Sequence, residues 1–115
     1  MKIPKLGIEL SENELCFACG QNNPIGLKLK PVYDGEKVKA EFIPGEYHQG
    51  WSNIVHGGIL YTLLDEITVY AILCRGIDFG VTAKSEVRFK QVTPINEPIQ
   101  ISAWVTKLTK RLVET

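Results

Sequence analysis

His56-Gly57-Gly58-Ile59-Leu60-Tyr61-Thr62-Leu63-Leu64-Asp65-Glu66-Ile67-Thr68-Val69-Tyr70-Ala71-Ile72-Leu73-Cys74-Arg75 is the stretch whose reading decides the fold. At about 100° per residue, Leu60, Leu63, Leu64, Ile67, Ala71 and Cys74 fall on one apolar stripe, which predicts a helix over 56–75 lying on a sheet. The opposite side is not a charged, solvated face. Tyr61, Val69, Ile72 and Leu73 are mixed there with Thr62, Thr68, Asp65 and Glu66. A helix apolar on most sides needs cover on most sides, so later strands or a second subunit must lie over this face.

Two features of the helix suggest chemistry. Asp65 sits among Tyr61, Val69 and Ile72, where a carboxylate loses water and becomes more basic; the plainer alternative is a structural Asp paired with a lysine or capping a loop. Glu66 lies nearer the apolar stripe, and a solvated or structural role suits it. The start, His56-Gly57-Gly58, spends two glycines in a first turn, each unfavourable there by about 1 kcal/mol. Glycines let another group approach the backbone, and first-turn N–H groups are unpaired at the positive end of the helix dipole. That combination can polarise a carbonyl; a bare loop-to-helix turn is the competing explanation. Gly57 and Asp65 are ~12 Å apart along a helix. If both act on one bond, Asp65 must come from a second copy of the chain.

Around the helix, period-2 patterns predict strands. Leu27, Leu29, Pro31 and Tyr33 alternate with Lys28, Lys30 and Val32, Asp34-Gly35 marks a turn, and Val38, Ala40 and Phe42 alternate with Lys37, Lys39 and Glu41, giving a hairpin over 26–43. Residues 44–55 are a loop. Arg75-Gly76-Ile77-Asp78-Phe79-Gly80 is a helix stop and connector. Val81 to Val92 is a long strand candidate with Ala83, Ser85, Val87 and Phe89 on one side. Ile99, Ile101, Ala103 and Val105 outline another strand, and Leu112-Val113 opens a further one. The expected fold class is α+β, an antiparallel sheet packed on one helix. No linker or repeat divides the 115 residues, so one domain is expected over 1–115, with 1–25 as an N-terminal extension.

Composition narrows the function classes. Hydrophobic residues are 44%, charged residues 23% and the net charge is zero, so nothing global favours nucleic acid or an anionic membrane. The apolar run from Ile59 to Cys74 is interrupted by Asp65 and Glu66, so no membrane span is expected. The start, Met1-Lys2-Ile3-Pro4-Lys5, does not read as a signal peptide. Three cysteines, an odd number, argue against a disulfide framework and for a cytoplasmic location. Cys16-x-x-Cys19 supplies half a zinc site or a redox pair. Cys74, His48 and His56 are scattered, so the plainer reading is a buried turn and no metal is expected. Tyr47 and Trp51 are candidates to line a pocket or to pack in the core.

His56-Gly57-Gly58-Ile59-Leu60 followed by Leu63-Leu64-Asp65-Glu66 resembles the hot-dog-fold acyl-CoA thioesterases, in the phenylacetyl-CoA-type (4-hydroxybenzoyl-CoA thioesterase-like) branch. The run from Cys16 to Leu27, with Val81-Thr82-Ala83, Val87-Arg88-Phe89 and Pro94, extends the resemblance over nearly the whole chain. It implies a sheet wrapped around one central helix and subunits paired as a homodimer or a dimer of dimers. It implies hydrolysis of an acyl-CoA or aryl-CoA thioester, with the Gly57 N–H polarising the carbonyl. Asp65 of the neighbouring subunit then acts as general base or nucleophile, and His56 orients the turn. Gly58, Asn53, Thr82, Lys84 and Arg88 are candidates to line the substrate. Lys84, Arg88 and Lys90 share one face of their strand, interleaved with Glu86, and are candidates to meet coenzyme A phosphates; a solvated face is the plainer reading. No cofactor is implied beyond coenzyme A as part of the substrate. Two positions depart from the pattern: Gly50 stands where some members carry Asn, and Lys84 near where some carry Ser. Members also continue for two strands beyond about residue 110, so this chain is expected to be truncated at the C-terminus. A non-catalytic acyl-CoA-binding module is the alternative function, and a hot-dog hydratase a weaker third.

Overall fold

A computed structural model describes residues 15–77 and 81–115. The expected N-terminal extension is therefore seen only from Leu15, and the end of the helix-stop connector, 78–80, lies outside the described residues. In chain order the elements are β1 (Val32–Tyr33), β2 (Val38–Phe42), a 3-10 turn (Glu46–His48), α1 (Gly57–Cys74), β3 (Ile99–Ala103), β4 (Lys107–Leu108) and β5 (Val113–Glu114). They form an antiparallel sheet of order β1-β2-β3 and a separate β4-β5 pair.

The expected hairpin forms, though its ladder is short. Leu27, Leu29 and Pro31 are buried and Lys28 and Lys30 exposed, but Lys28 has a φ of +54°, which no regular strand accommodates. Leu27 and Leu29 instead donate to the carbonyls of Phe17 and Ala18, both at 2.8 Å. Regular pairing begins at Val32 and crosses a turn that Asp34 holds. Its Oδ1 accepts from the N–H of Lys37 (2.7 Å) and of Glu36 (2.9 Å), while Gly35 takes a φ of +98°. Beyond the turn Val38, Ala40 and Phe42 are buried and pair with Ala103, Ile101 and Ile99.

α1 lies on this sheet. Its buried residues are Leu63, Ile67, Tyr70, Ala71 and Cys74, joined in one cluster with Leu29, Val38, Ala40, Phe42, Ile101 and Ala103. The stripe is thus rotated from the expected one. Tyr70 belongs to it, Leu60 is only half-buried, and Leu64 is 38% exposed. Leu64 stands on the side of the helix that the sheet does not reach. By length and composition alone α1 could cross a membrane; its packing makes it the core helix of this domain. The helix stops with Arg75 and Gly76 donating to the carbonyls of Ile72 and Leu73, Gly76 at a φ of +84°.

The main correction concerns Val81 to Val92. The segment forms no ladder with any described residue. Strand character requires a partner's backbone, and among the described residues backbone pairing is found only just past the segment's far end, where Val55 donates to the Thr93 carbonyl (2.8 Å) and Ile54 bridges to Pro94. Val81 and Val92 are left 77% and 73% exposed. Ile99–Ala103 and Val113–Glu114 form strands where expected, but the first ends before Val105.

Two outcomes test this description. Ile67 is fully buried, so Ile67→Ala lowers the unfolding free energy by about 2–5 kcal/mol, read by urea denaturation. The Lys37 and Glu36 amides, then Lys39 (Nζ 3.2 Å away), hold the Asp34 carboxyl down to about 2, below its ordinary 3.8. A lowered folded-state pKa means the turn's contribution is full above 3.8 and is lost as pH falls through about 2. An NMR titration of the Asp34 carboxyl gives a midpoint near 2; an ordinary midpoint excludes the turn as described.

Candidate active site

His56 begins the site. It is the N-cap of α1, with extended backbone, and its carbonyl accepts from Ile59 (3.0 Å) and Leu60 (3.2 Å). Its imidazole folds back so that Nδ1 accepts from the Gly58 N–H at 2.8 Å. The neutral ring therefore carries its proton on Nε2. His56 is also fixed from behind, its own N–H donating to the His48 carbonyl at 2.8 Å. His48 is held in turn: its Nδ1 accepts from Gly45, and its ring tilts against Phe42 at 5.3 Å between centroids. Thus the sheet residue Phe42 and the helix start are linked through His48.

The two helix glycines have different reasons. A Cβ at Gly58 would lie 3.0 Å from His56 Nδ1 and 3.1 Å from Cε1, so Gly58 makes room for the imidazole cap rather than for a ligand. A Cβ at Gly57 would meet only Phe89 ring atoms, at an ordinary 3.7 Å. No close contact among the described residues demands glycine at 57, so the backbone there is open to approach. The donors divide accordingly. Gly58 is taken by His56, Ile59 and Leu60 by the His56 carbonyl, and the Gly57 N–H has no acceptor among the described residues. A cavity of about 410 Å³, lined by Gly50, Trp51, Val55, His56 and Gly57, opens at this point. An unpaired N–H at the positive end of a helix, facing a cavity, suits an electron-rich oxygen.

Gly50 belongs to the same construction. A Cβ there would approach His56 Cα to 3.2 Å and Cδ2 to 3.4 Å, so the loop presses on the imidazole and a larger side chain would displace it. Trp51 lines the cavity, while Tyr47, 92% exposed, does not.

Asp65 lies elsewhere. It is half-buried, and its Oδ1 accepts a 2.6 Å hydrogen bond from the Thr82 hydroxyl. Thr82 is therefore placed on the carboxylate. The chain 81–89 runs beside the helix, since Thr82 reaches Asp65 and Phe89 lies near Gly57. Asp65 is absent from the cavity lining around Gly57, as the separation along the helix requires.

Other expected site residues are not gathered at the cavity. Asn53 is an exposed turn residue with a φ of +65°, its N–H donating to Gln49 Oε1 and its carbonyl accepting from Ile95. Lys84 is exposed, and Arg88 faces Glu86 at 3.9 Å across open solvent. His48 and Gly50 were missed as supports of His56. No motif spacing marks them, because their contacts cross a loop.

Comparison with known proteins identifies the family. Residues 52–115 match the family model described as the thioesterase superfamily. Acyl-coenzyme A thioesterase 13 of Homo sapiens is 35% identical over 81 residues, covering 69% of this chain and 57% of that protein. The Mus musculus protein of the same name is 33% identical over 79 residues, covering 67% and 56%. The chain thus spans little more than half the length of these relatives. The crystal structure of zebra fish thioesterase superfamily member 2 superposes with a TM-score of 0.72 at 25% identity, over 90% of this chain and 75% of that one. A crystallographic thioesterase superfamily protein gives a TM-score of 0.80 at 23% identity, over 87% of this chain and 49% of that one. One long helix on an antiparallel sheet, shared with these structures and joined to the family match over more than half its length, makes this chain a hot-dog-fold member of the thioesterase superfamily.

Proposed function

We propose that the chain hydrolyses an acyl- or aryl-coenzyme A thioester, and that each reaction centre joins Gly57 of one copy to Asp65 of another. The observation that carries this reading is the unpaired Gly57 N–H at a cavity beside the start of α1. A thioester carbonyl accepting that N–H becomes more electrophilic, and the helix dipole favours the negative oxygen that develops on attack. Asp65 takes a proton from water as it attacks and passes it to the departing thiolate, or attacks the carbonyl carbon itself to form a mixed anhydride that water then hydrolyses, with the departing thiolate protonated from solvent; either way the free acid and the coenzyme A thiol are released. The overall reaction consumes only water and the thioester, so coenzyme A enters as part of the substrate and the reaction calls on no further cofactor. The roles of base and carbonyl site are separable because His56 is already committed to Gly58 and acts through the turn.

Supporting the paired assembly, Tyr61 and Leu64 on the uncovered side of α1 are 37% and 38% exposed, and Val81 and Phe89 are exposed alongside. The segment 81–92 also forms no ladder with the described residues, and its backbone is one that a second copy can pair. The His56-Gly57-Gly58 start with Asp65 supports a place in the phenylacetyl-CoA-type branch. The free thiols of Cys16, Cys19 and Cys74 suit a cytoplasmic setting.

The test is a panel of acyl- and aryl-CoAs assayed for thiol release. Asp65→Asn lowers kcat by about 10²–10⁴-fold with substrate binding retained. Equal turnover by both proteins removes Asp65 from the reaction, and saturable binding with no turnover of any member by the wild type makes the domain a binding module. Gly58→Ala pushes on the imidazole, so kcat falls while the urea midpoint moves little. An unchanged kcat in that variant separates the His56 cap from the orientation of the Gly57 N–H.

A further inference from the structure

A second cluster lies away from the cavity, on the flank of α1. The turn Cys16-Phe17-Ala18-Cys19-Gly20 closes with the Gly20 N–H donating to the Cys16 carbonyl at 2.8 Å. Inside it the Cys19 N–H points at Cys16 Sγ, 3.4 Å away. Glu66, 50 positions further along the chain, reaches across from the helix and brings Oε1 to 3.7 Å from Cys16 Sγ. The ligand atoms of Cys16, Cys19 and Glu66 all lie within 4.8 Å of one another, Cys19 buried and the other two half-buried.

We propose that Cys16, Cys19 and Glu66 bind a zinc ion that fastens the N-terminal segment to α1. With Zn–S of about 2.3 Å and Zn–O of about 2.1 Å, a tetrahedral centre sets its ligand atoms roughly 3.5–3.8 Å apart. The observed sulfur-to-oxygen distance already falls in that interval. The remaining separations need only small rotations of side chains on an ordered turn. That turn is held independently: the Asn23 side chain accepts from Ile25 and donates to the Leu15 carbonyl, and a Cβ at Gly26 would lie 2.8 Å from the Phe17 carbonyl oxygen. On binding, the two thiols form two Zn–S bonds and release two protons, the Glu66 carboxylate contributes one Zn–O bond, and water completes the four positions. The sequence expectation of no metal considered only cysteine and histidine as further ligands; the carboxylate on the next helix supplies the third. Because Glu66 neighbours Asp65, the ion also fixes the rotation of the helix at that carboxylate. The proposal does not depend on thioester hydrolysis.

The experiment uses the full chain, reduced and metal-free, titrated with Co²⁺ and then Zn²⁺. One Co²⁺ per chain is expected to give strong visible absorption of a four-coordinate site with a sulfur-to-cobalt charge-transfer band, which Zn²⁺ abolishes. Cys16→Ser with Cys19→Ser removes the charge-transfer band. Glu66→Gln retains it and weakens Co²⁺ binding at least about tenfold, the loss expected when one of three protein ligands goes. Absence of a saturable cobalt spectrum from the folded wild type overturns the proposal whatever the variants do. So does a charge-transfer band that survives the double substitution. Equal affinity in the Glu66→Gln protein, its fold checked by circular dichroism, overturns the carboxylate's part and with it the fastening.

Discussion

Everything in this domain depends on the burial of one side of α1 against β2 and β3. Leu63 and Ile67 meet Val38, Ala40, Ile101 and Ala103 in a single cluster, and burying such side chains contributes about 1.5–3 kcal/mol each. This contact fixes the helix axis and hence the direction in which its first turn points. The N-cap, the His48 support and the cavity are consequences of that placement. The same constraint creates the remaining problem of the fold, because a helix apolar on both sides cannot be satisfied by one sheet. Its second side is where Asp65 stands.

The first turn of α1 shows how a small number of donors can be allotted. Four N–H groups at a helix start have no partner within the helix proper. Here three are occupied by His56, two through its carbonyl and one through its ring. The imidazole thereby works as a piece of the scaffold, and the glycine beside it exists to let the ring come close. The remaining donor is left to the cavity. A histidine next to glycines at a helix start invites assignment as an acid or base, yet here its Nδ1 is already taken by the Gly58 N–H.

Local patterns carried much of this structure. The alternation of Val38, Ala40 and Phe42, the Asp34-Gly35 turn and the helix bounds were legible because each follows from short-range periodicity or turn chemistry. The helix stripe was legible only approximately: Tyr70 replaced Leu64 because the tilt of a helix on its sheet is a property of both partners. Val81 to Val92 has the alternation of a strand, but pairing is a relation between segments and no pattern within one segment guarantees it. In the site, Gly57 was legible from the logic of unpaired donors. The contacts of Gly50 and His48 with His56, of Thr82 with Asp65, and of Cys16 and Cys19 with Glu66 arise across space, so no spacing announces them.

The sheet register carries a consequence for how the chain folds. Phe42 pairs with Ile99 across the loop, the entire helix and the segment after it. The β2–β3 ladder therefore cannot close until the intervening chain has been laid down, and its closure entropy falls on a single late event. α1, formed locally, has only β2 to cover its apolar side until β3 arrives. In that interval the same side chains that later form the core are the ones most open to association with other chains. Closure of β2 on β3 is thus the step at which open core surface becomes buried core.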